Sequence, residues 1–134
     1  MKTYIKCGTL FTGQSDRPEQ DRTIVVRDGT IEGIQPTAQA QPAPDGDVLD
    51  YSGCFVMPGL LDVHTHLAYG NAKTEEDIDI YAPLEFRAIR ALFFAQQVLA
   101  AGYTSMGAPG GSGFVSSAVR DAVDAGLFDG PRIT

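Results

Sequence analysis

The sequence predicts an α/β chain in two parts: a strand-rich stretch over residues 1–57, then a strand–helix–strand–helix–strand succession over 58–134. Three observations carry this reading. Short β-branched and aromatic runs, bounded by Gly, Pro, Asp and Gln, crowd the first part. Two longer segments with apolar residues at helical spacing, 83–101 and 114–125, lie in the second. Each of those helices is flanked by short strand-like runs, an arrangement that forces parallel pairing with a right-handed crossover.

Composition narrows the class. Of 134 residues, 43% are apolar and 20% charged, values of a globular chain rather than a disordered one. Acidic residues outnumber basic ones 17 to 10 and nothing basic clusters, which argues against nucleic acid or an anionic membrane as partner. No apolar run approaches the roughly 20 residues of a membrane helix, and Met1–Gly8 has no signal-peptide core. The protein therefore reads as cytoplasmic. Cys7 and Cys54 are expected to be reduced, buried thiols; neither has metal-ligand spacing to the other or to a histidine, and no role is assigned to them.

Taken in order, Tyr4–Cys7 and Gly8–Gly13 read as one strand carried past a glycine, and Gln14–Asp21 as a polar loop. Thr23–Arg27 and Thr30–Ile34 flank Asp28-Gly29, a strong signal for a two-residue hairpin turn. Gln35–Asp47, rich in Pro, Ala and Gln, is a loop. Val48–Tyr51 and Cys54–Met57 are further strands, the second leading into a turn at Pro58-Gly59. After the short strand that follows, Ala68–Tyr81 is expected to be a loop in which Glu75, Glu76, Asp77 and Asp79 cluster. A solvated acidic loop and a substrate-facing lid with Tyr69 and Tyr81 as contacts both fit that stretch.

Pro83–Ala101 predicts a helix. Pro suits the first turn, Leu84, Ala88, Leu92, Ala95 and Leu99 recur at threes and fours, and Gly102 caps the end. Arg87 and Arg90 fall on the polar side and are expected in solvent. Tyr103–Met106 is a second strand and Gly107–Gly113 a loop. Phe114–Ala125 is a second helix with Val115, Ala118, Val119, Ala122 and Val123 inward, and Gly130–Thr134 enters a third strand.

The stretch that carries chemistry is Pro58-Gly59-Leu60-Leu61-Asp62-Val63-His64-Thr65-His66-Leu67. Alternate side chains on a strand share a face, so Asp62, His64 and His66 are expected on one side and Leu61, Val63, Thr65 and Leu67 on the other. Two neutral imidazoles on one face can bind a single divalent ion, zinc above all. They are the chain's only two histidines. The plain alternative is a strand end with two partly exposed histidines. The Gly107–Gly113 loop lacks the Lys-Ser/Thr of a phosphate cradle and does not fit G-x-G-x-x-G, which argues against a nucleotide site.

This Pro-Gly-Leu-Leu-Asp-Val-His-Thr-His-Leu run resembles the first barrel strand of the amidohydrolase superfamily of metal-dependent hydrolases. Gly102-Tyr103-Thr104-Ser105-Met106-Gly107-Ala108-Pro109-Gly110-Gly111 resembles the turn after the second strand in its imidazolonepropionase-like and Xaa-Pro-dipeptidase (prolidase)-like branch. There the pattern is Gly-x-Thr-Thr-x-Arg-Asp-x-Gly-Gly. Gly107 and Ala108 stand in the Arg and Asp positions, so whatever polar contact that pair makes in relatives is missing here and the substrate class stays open. Phe114–Gly126 followed by Gly130-Pro131-Arg132 is similar to the branch's second helix and its Gly-Pro-Arg signature.

The resemblance implies that residues 58–134 begin a (β/α)8 TIM-type barrel and that residues 1–57 form part of a small β-sandwich, completed by strands from after the barrel. It implies that His64 and His66 ligate one or two divalent ions, zinc for preference. It also implies hydrolysis of an amide, lactam or dipeptide carbon–nitrogen bond by metal-activated water. Asp62 would either orient a ligand from behind or be a structural carboxylate, and Tyr69 would contact substrate. The family's remaining ligands and its aspartate base come from later strands, so no catalytic residue is assigned within this chain. On this reading the chain is an N-terminal portion, inactive alone and completed by a missing C-terminal portion or by other subunits, whether of a homo-oligomer or of a split enzyme. A non-catalytic binding or structural module derived from the family is the other reading. Isolated, the chain is expected to expose apolar helix surface around Leu92, Phe93 and Val98 and to aggregate.

Overall fold

The Asp28-Gly29 hairpin sets the register of the first sheet. Both residues take positive φ, 49° and 78°, the pair that a two-residue turn matched to strand twist requires. They join β2 (Glu19–Arg27) to β3 (Thr30–Pro36), with β1 (Lys2–Leu10) on the other side of β2 and β4 (Asp47–Val56) at the far edge. The order is β3-β2-β1-β4, antiparallel except for the parallel β1–β4 pair. The computed structural model describes residues 1–111 and 113–134, and the chain divides into two units, Met1–Pro58 and Gly59–Thr134.

Two expectations for the first unit are corrected. Val48–Tyr51 and Cys54–Met57 are not separate strands: β4 runs through, absorbing one irregularity opposite Cys7 and Thr9. Gly8 permits this, because the Ser52 carbonyl occupies the place a Cβ would take. Cys54 is exposed on that strand, whereas Cys7 is buried, and burial pushes the Cys7 thiol pKa up.

Cys7, Leu10 and Ile24 are the buried centre of this unit, with Ile5, Val26 and Val56 packed on them. The segment after β3, opening with a 3₁₀ turn at Thr37–Gln39, is tied to the sheet by polar bonds. Fully buried Thr23 donates its hydroxyl to Thr37 Oγ1 at 3.0 Å, and the Tyr4 hydroxyl accepts from the Ala43 N–H at 3.3 Å. Cross-strand register aligns Ile34, Ile24, Ile5 and Leu49 in one row. The outer two, Ile34 and Leu49, are each 42% exposed.

The second unit is a βαβαβ succession. Strands β5 (Leu60–Asp62), β6 (Tyr103–Met106) and β7 (Arg132–Ile133) are parallel and adjacent in that order. Helix α2 (Leu84–Ala100) connects the first pair and α3 (Val115–Asp124) the second, as the periodicity predicts. Leu67, Ala91, Ala95, Met106, Val115, Val119 and Ile133 form the core. Ser112 of the expected Gly107–Gly113 loop lies outside the described residues.

Helix α2 is turned from the expected orientation. Arg87, Ala91 and Ala95 are its buried line, while Leu84 is half exposed. Leu92 and Val98 are partly buried and Phe93 is exposed. Within Ala68–Tyr81 a one-turn helix, α1 (Glu76–Asp79), replaces part of the expected loop. Ile78 buries its side chain there, Thr74 Oγ1 accepts the Asp77 N–H at 3.3 Å, and the acidic first turn suits the helix dipole. Among the described residues no helix is long and apolar enough to cross a membrane.

Candidate metal centre

Strand β5 leaves its ladder at Asp62, so His64 and His66 stand beyond the strand rather than alternating along it as expected. The reason is the turn after β6. The Gly107 N–H bonds the Asp62 carbonyl at 2.7 Å, and the Gly107 carbonyl then takes the Thr65 N–H at 2.9 Å. Asp62 Oδ1 accepts the His64 backbone N–H at 3.0 Å, which bends the chain into the next turn. The contact that Asp62 Oδ1 makes here is thus with backbone.

The two rings nevertheless converge. Their Nε2 atoms are 3.2 Å apart, with centroids 5.1 Å apart and planes at 71°. His66 Nδ1 lies 3.2 Å from the Gly110 carbonyl. A carbonyl only accepts, so Nδ1 carries the proton and Nε2 of neutral His66 presents its lone pair. Two nitrogens, each about 2.0–2.1 Å from a tetrahedral ion, lie about 3.3 Å apart. The pair therefore fits two neighbouring positions around one divalent ion. Among the described residues no group of three or more His, Cys, Asp or Glu side chains is placed to hold a metal. Both histidines lie past the carboxyl ends of parallel strands, the edge at which open α/β sheets bind ligands.

Tyr69 sits beside this pair, its ring 5.7 Å from that of His66 at 76°. Its hydroxyl donates to Asp79 Oδ2 at 2.8 Å. That carboxylate, chiefly through this bond, raises the phenol above its ordinary pKa. Tyr81, the other tyrosine expected near substrate, is 77% exposed.

The arginines of α2 overturn their expected place in solvent. Arg87 is only 7% exposed. It donates from Nε to the Ala82 carbonyl at 2.9 Å and from Nη2 to the Asp79 carbonyl at 2.8 Å, and it pairs with Asp79 Oδ1 at 3.4 Å. Arg90 donates to the Ala68 carbonyl at 3.0 Å and the Tyr69 carbonyl at 2.9 Å, and lies over the Phe94 ring, 5.0 Å from its centroid. Periodicity alone hides this. The available signal was two arginines three apart on the helix that follows a long loop, since one guanidinium can hold several carbonyls.

No protein-family model matches the chain. It is 43% identical over 58 residues to the imidazolonepropionase of Chromobacterium violaceum, covering 42% of this chain and 14% of that protein. It is 35% identical over 107 residues to the enamidase of Eubacterium barkeri, covering 78% and 24%. The crystal structure of a Xaa-Pro dipeptidase with bound methionine in the active site superimposes with a TM-score of 0.88 at 30% identity, covering 99% of this chain and 32% of that one. The chain thus spans a quarter or less of the two curated relatives. The second unit is thus a parallel βαβαβ unit with an imidazole pair past its first strand. The chain belongs to the amidohydrolase superfamily, matching the N-terminal portion of its members.

Proposed function

We propose that this chain supplies the opening of a (β/α)8 barrel and the first two ligands, His64 and His66, of a divalent-metal site that hydrolyses carbon–nitrogen bonds. The first unit is then one layer of a small β-sandwich whose second layer comes from elsewhere in the protein. Similarity to an imidazolonepropionase, an enamidase and a Xaa-Pro dipeptidase supports an amide, lactam or dipeptide as substrate. The observation that carries the reading is the 3.2 Å Nε2–Nε2 approach, with His66 Nδ1 committed to Gly110. A bound ion, zinc for preference, would supply Lewis acidity and acidify water. His64 and His66 hold it, Gly110 fixes the His66 tautomer, Asp62 shapes the backbone under His64, and Tyr69 borders the substrate's approach. The remaining ligands and the base come from beyond these residues, and the assembled enzyme is cytoplasmic.

Zinc titration of the 134-residue chain tests this, followed by the side-chain NMR signals of its two histidines. Both histidines should shift together on zinc addition, with weak, rapidly exchanging binding as expected for two ligands. His64→Ala should leave no site. Zinc that moves only one ring, or that survives in His64→Ala with undiminished affinity, would sink the proposal.

A further inference from the structure

We propose that Arg87 and Arg90 are positioning residues that clamp the segment after β5 at both ends and, through Tyr69, hold the His66 ring in its binding orientation. Arg90 takes two successive carbonyls, Ala68 and Tyr69, at the start of the segment. Arg87 takes the Asp79 and Ala82 carbonyls at its end, together with the Asp79 carboxylate. The Tyr69–Asp79 bond ties the two ends together. Phe94 closes over Gly70, leaving no room for a Cβ. The segment between these ends contains Ile78, the one core residue of α1. Apart from half-buried Ala72, its remaining length is exposed and would have little packing to keep it in place.

The consequence falls on His66. Tyr69 meets that imidazole edge-on, and the Tyr69 backbone N–H bonds the His66 carbonyl at 3.2 Å. Fixing the Tyr69 carbonyl from Arg90 and its hydroxyl from Asp79 therefore limits how far the His66 ring can rotate. Rotation would break the Nδ1–Gly110 bond, and with it the preference for a lone pair on Nε2. Two guanidiniums suit this work because each holds several acceptors in one plane, which a lysine cannot do.

The inference rests on the metal reading only in its second readout. The first is the tautomer of His66 in the metal-free chain, read from long-range proton–nitrogen NMR spectra. With two histidines in the chain, His64→Gln assigns the signals. The parent should show His66 protonated at Nδ1. Arg90→Gln should lose that bias and give mixed tautomers, Arg90→Lys should restore it only in part, and zinc affinity should fall about tenfold in Arg90→Gln. Tyr69→Phe, which deletes one hydroxyl at a half-buried site, should likewise lose part of the Nδ1 bias and weaken zinc binding about threefold. If Arg90→Gln fails to fold, Tyr69→Phe decides alone. An unchanged His66 tautomer in the folded variants overturns the clamp, whatever zinc does. If the parent binds no zinc yet the tautomer bias is lost on substitution, the clamp stands and the metal reading falls.

Discussion

Met106→Ala should destabilise the second unit by about 2–5 kcal/mol, the range for truncating a fully buried Met. Met106 is 1% exposed and sits in the core with Ala91, Ala95, Leu67, Val119 and Ile133. Its backbone is pinned as well: it pairs with Asp62 on one side and Ile133 on the other, and its carbonyl accepts the Thr134 N–H at 3.0 Å. A strand held from both sides cannot collapse into the space that the lost side chain leaves, which favours the upper half of that range. Hydrogen exchange of the α2 amides reads this unit separately, and their protection should fall by two orders of magnitude or more, since each 1.4 kcal/mol is tenfold. Phe114→Ala is the matched control, because Phe114 is 86% exposed and its loss removes no core contact. Equal effects from the two substitutions would mean that the core does not lie where Met106 is.

The order of elements was legible because it rests on local signals. Asp28-Gly29 fixes a turn by its own backbone requirement, and strand–helix alternation forces parallel pairing whatever the side chains do. The end of β5 was not legible. It is set by a hydrogen bond from Gly107, 45 residues on from Asp62, and alternation along Leu60–Leu67 carries no trace of it. Nor was the buried line of α2. The stripe read from periodicity includes Ala95, which is buried, but also Leu84 and Leu92; close approach to the sheet selects the small Ala91 beside Ala95, and Arg87 follows them inward because acceptors wait for it in the Asp79–Ala82 backbone. The histidine pair was legible as a pair. Its geometry was not, because the convergence of the Nε2 atoms comes from the turn after the strand and from Gly110, not from sharing a strand face.

Exposed apolar side chains give a simpler expectation. Ile34, Leu49, Phe55 and Phe93 are 42%, 42%, 57% and 54% exposed. Large exposed apolar side chains favour association. The 134-residue chain should therefore bind a hydrophobic dye and show concentration-dependent light scattering. Replacing Phe55 and Leu49 with Lys, on the edge strand β4, should reduce both signals; a monodisperse, dye-silent parent would count against it.

Gly107→Ala is expected to have a large effect for the smallest change, one methyl. A Cβ at Gly107 would lie 2.6 Å from the Val63 carbonyl oxygen. That oxygen belongs to backbone held on both sides, by Gly107 N–H to Asp62 and by Thr65 N–H to Gly107, so no side-chain rotation can relieve the overlap. The turn itself must move, and His64 is the next residue in it. The expected result is a loss of about 1–3 kcal/mol in stability, as for other overpacked sites, with zinc affinity falling about tenfold or more as the His64 ring leaves its partner. Gly110→Ala separates this from a general intolerance of the glycine loop: among the described residues its Cβ would meet only His66 Cε1, at 3.4 Å, an ordinary contact. Zinc affinity retained in Gly107→Ala would show that the ligand pair does not depend on this turn.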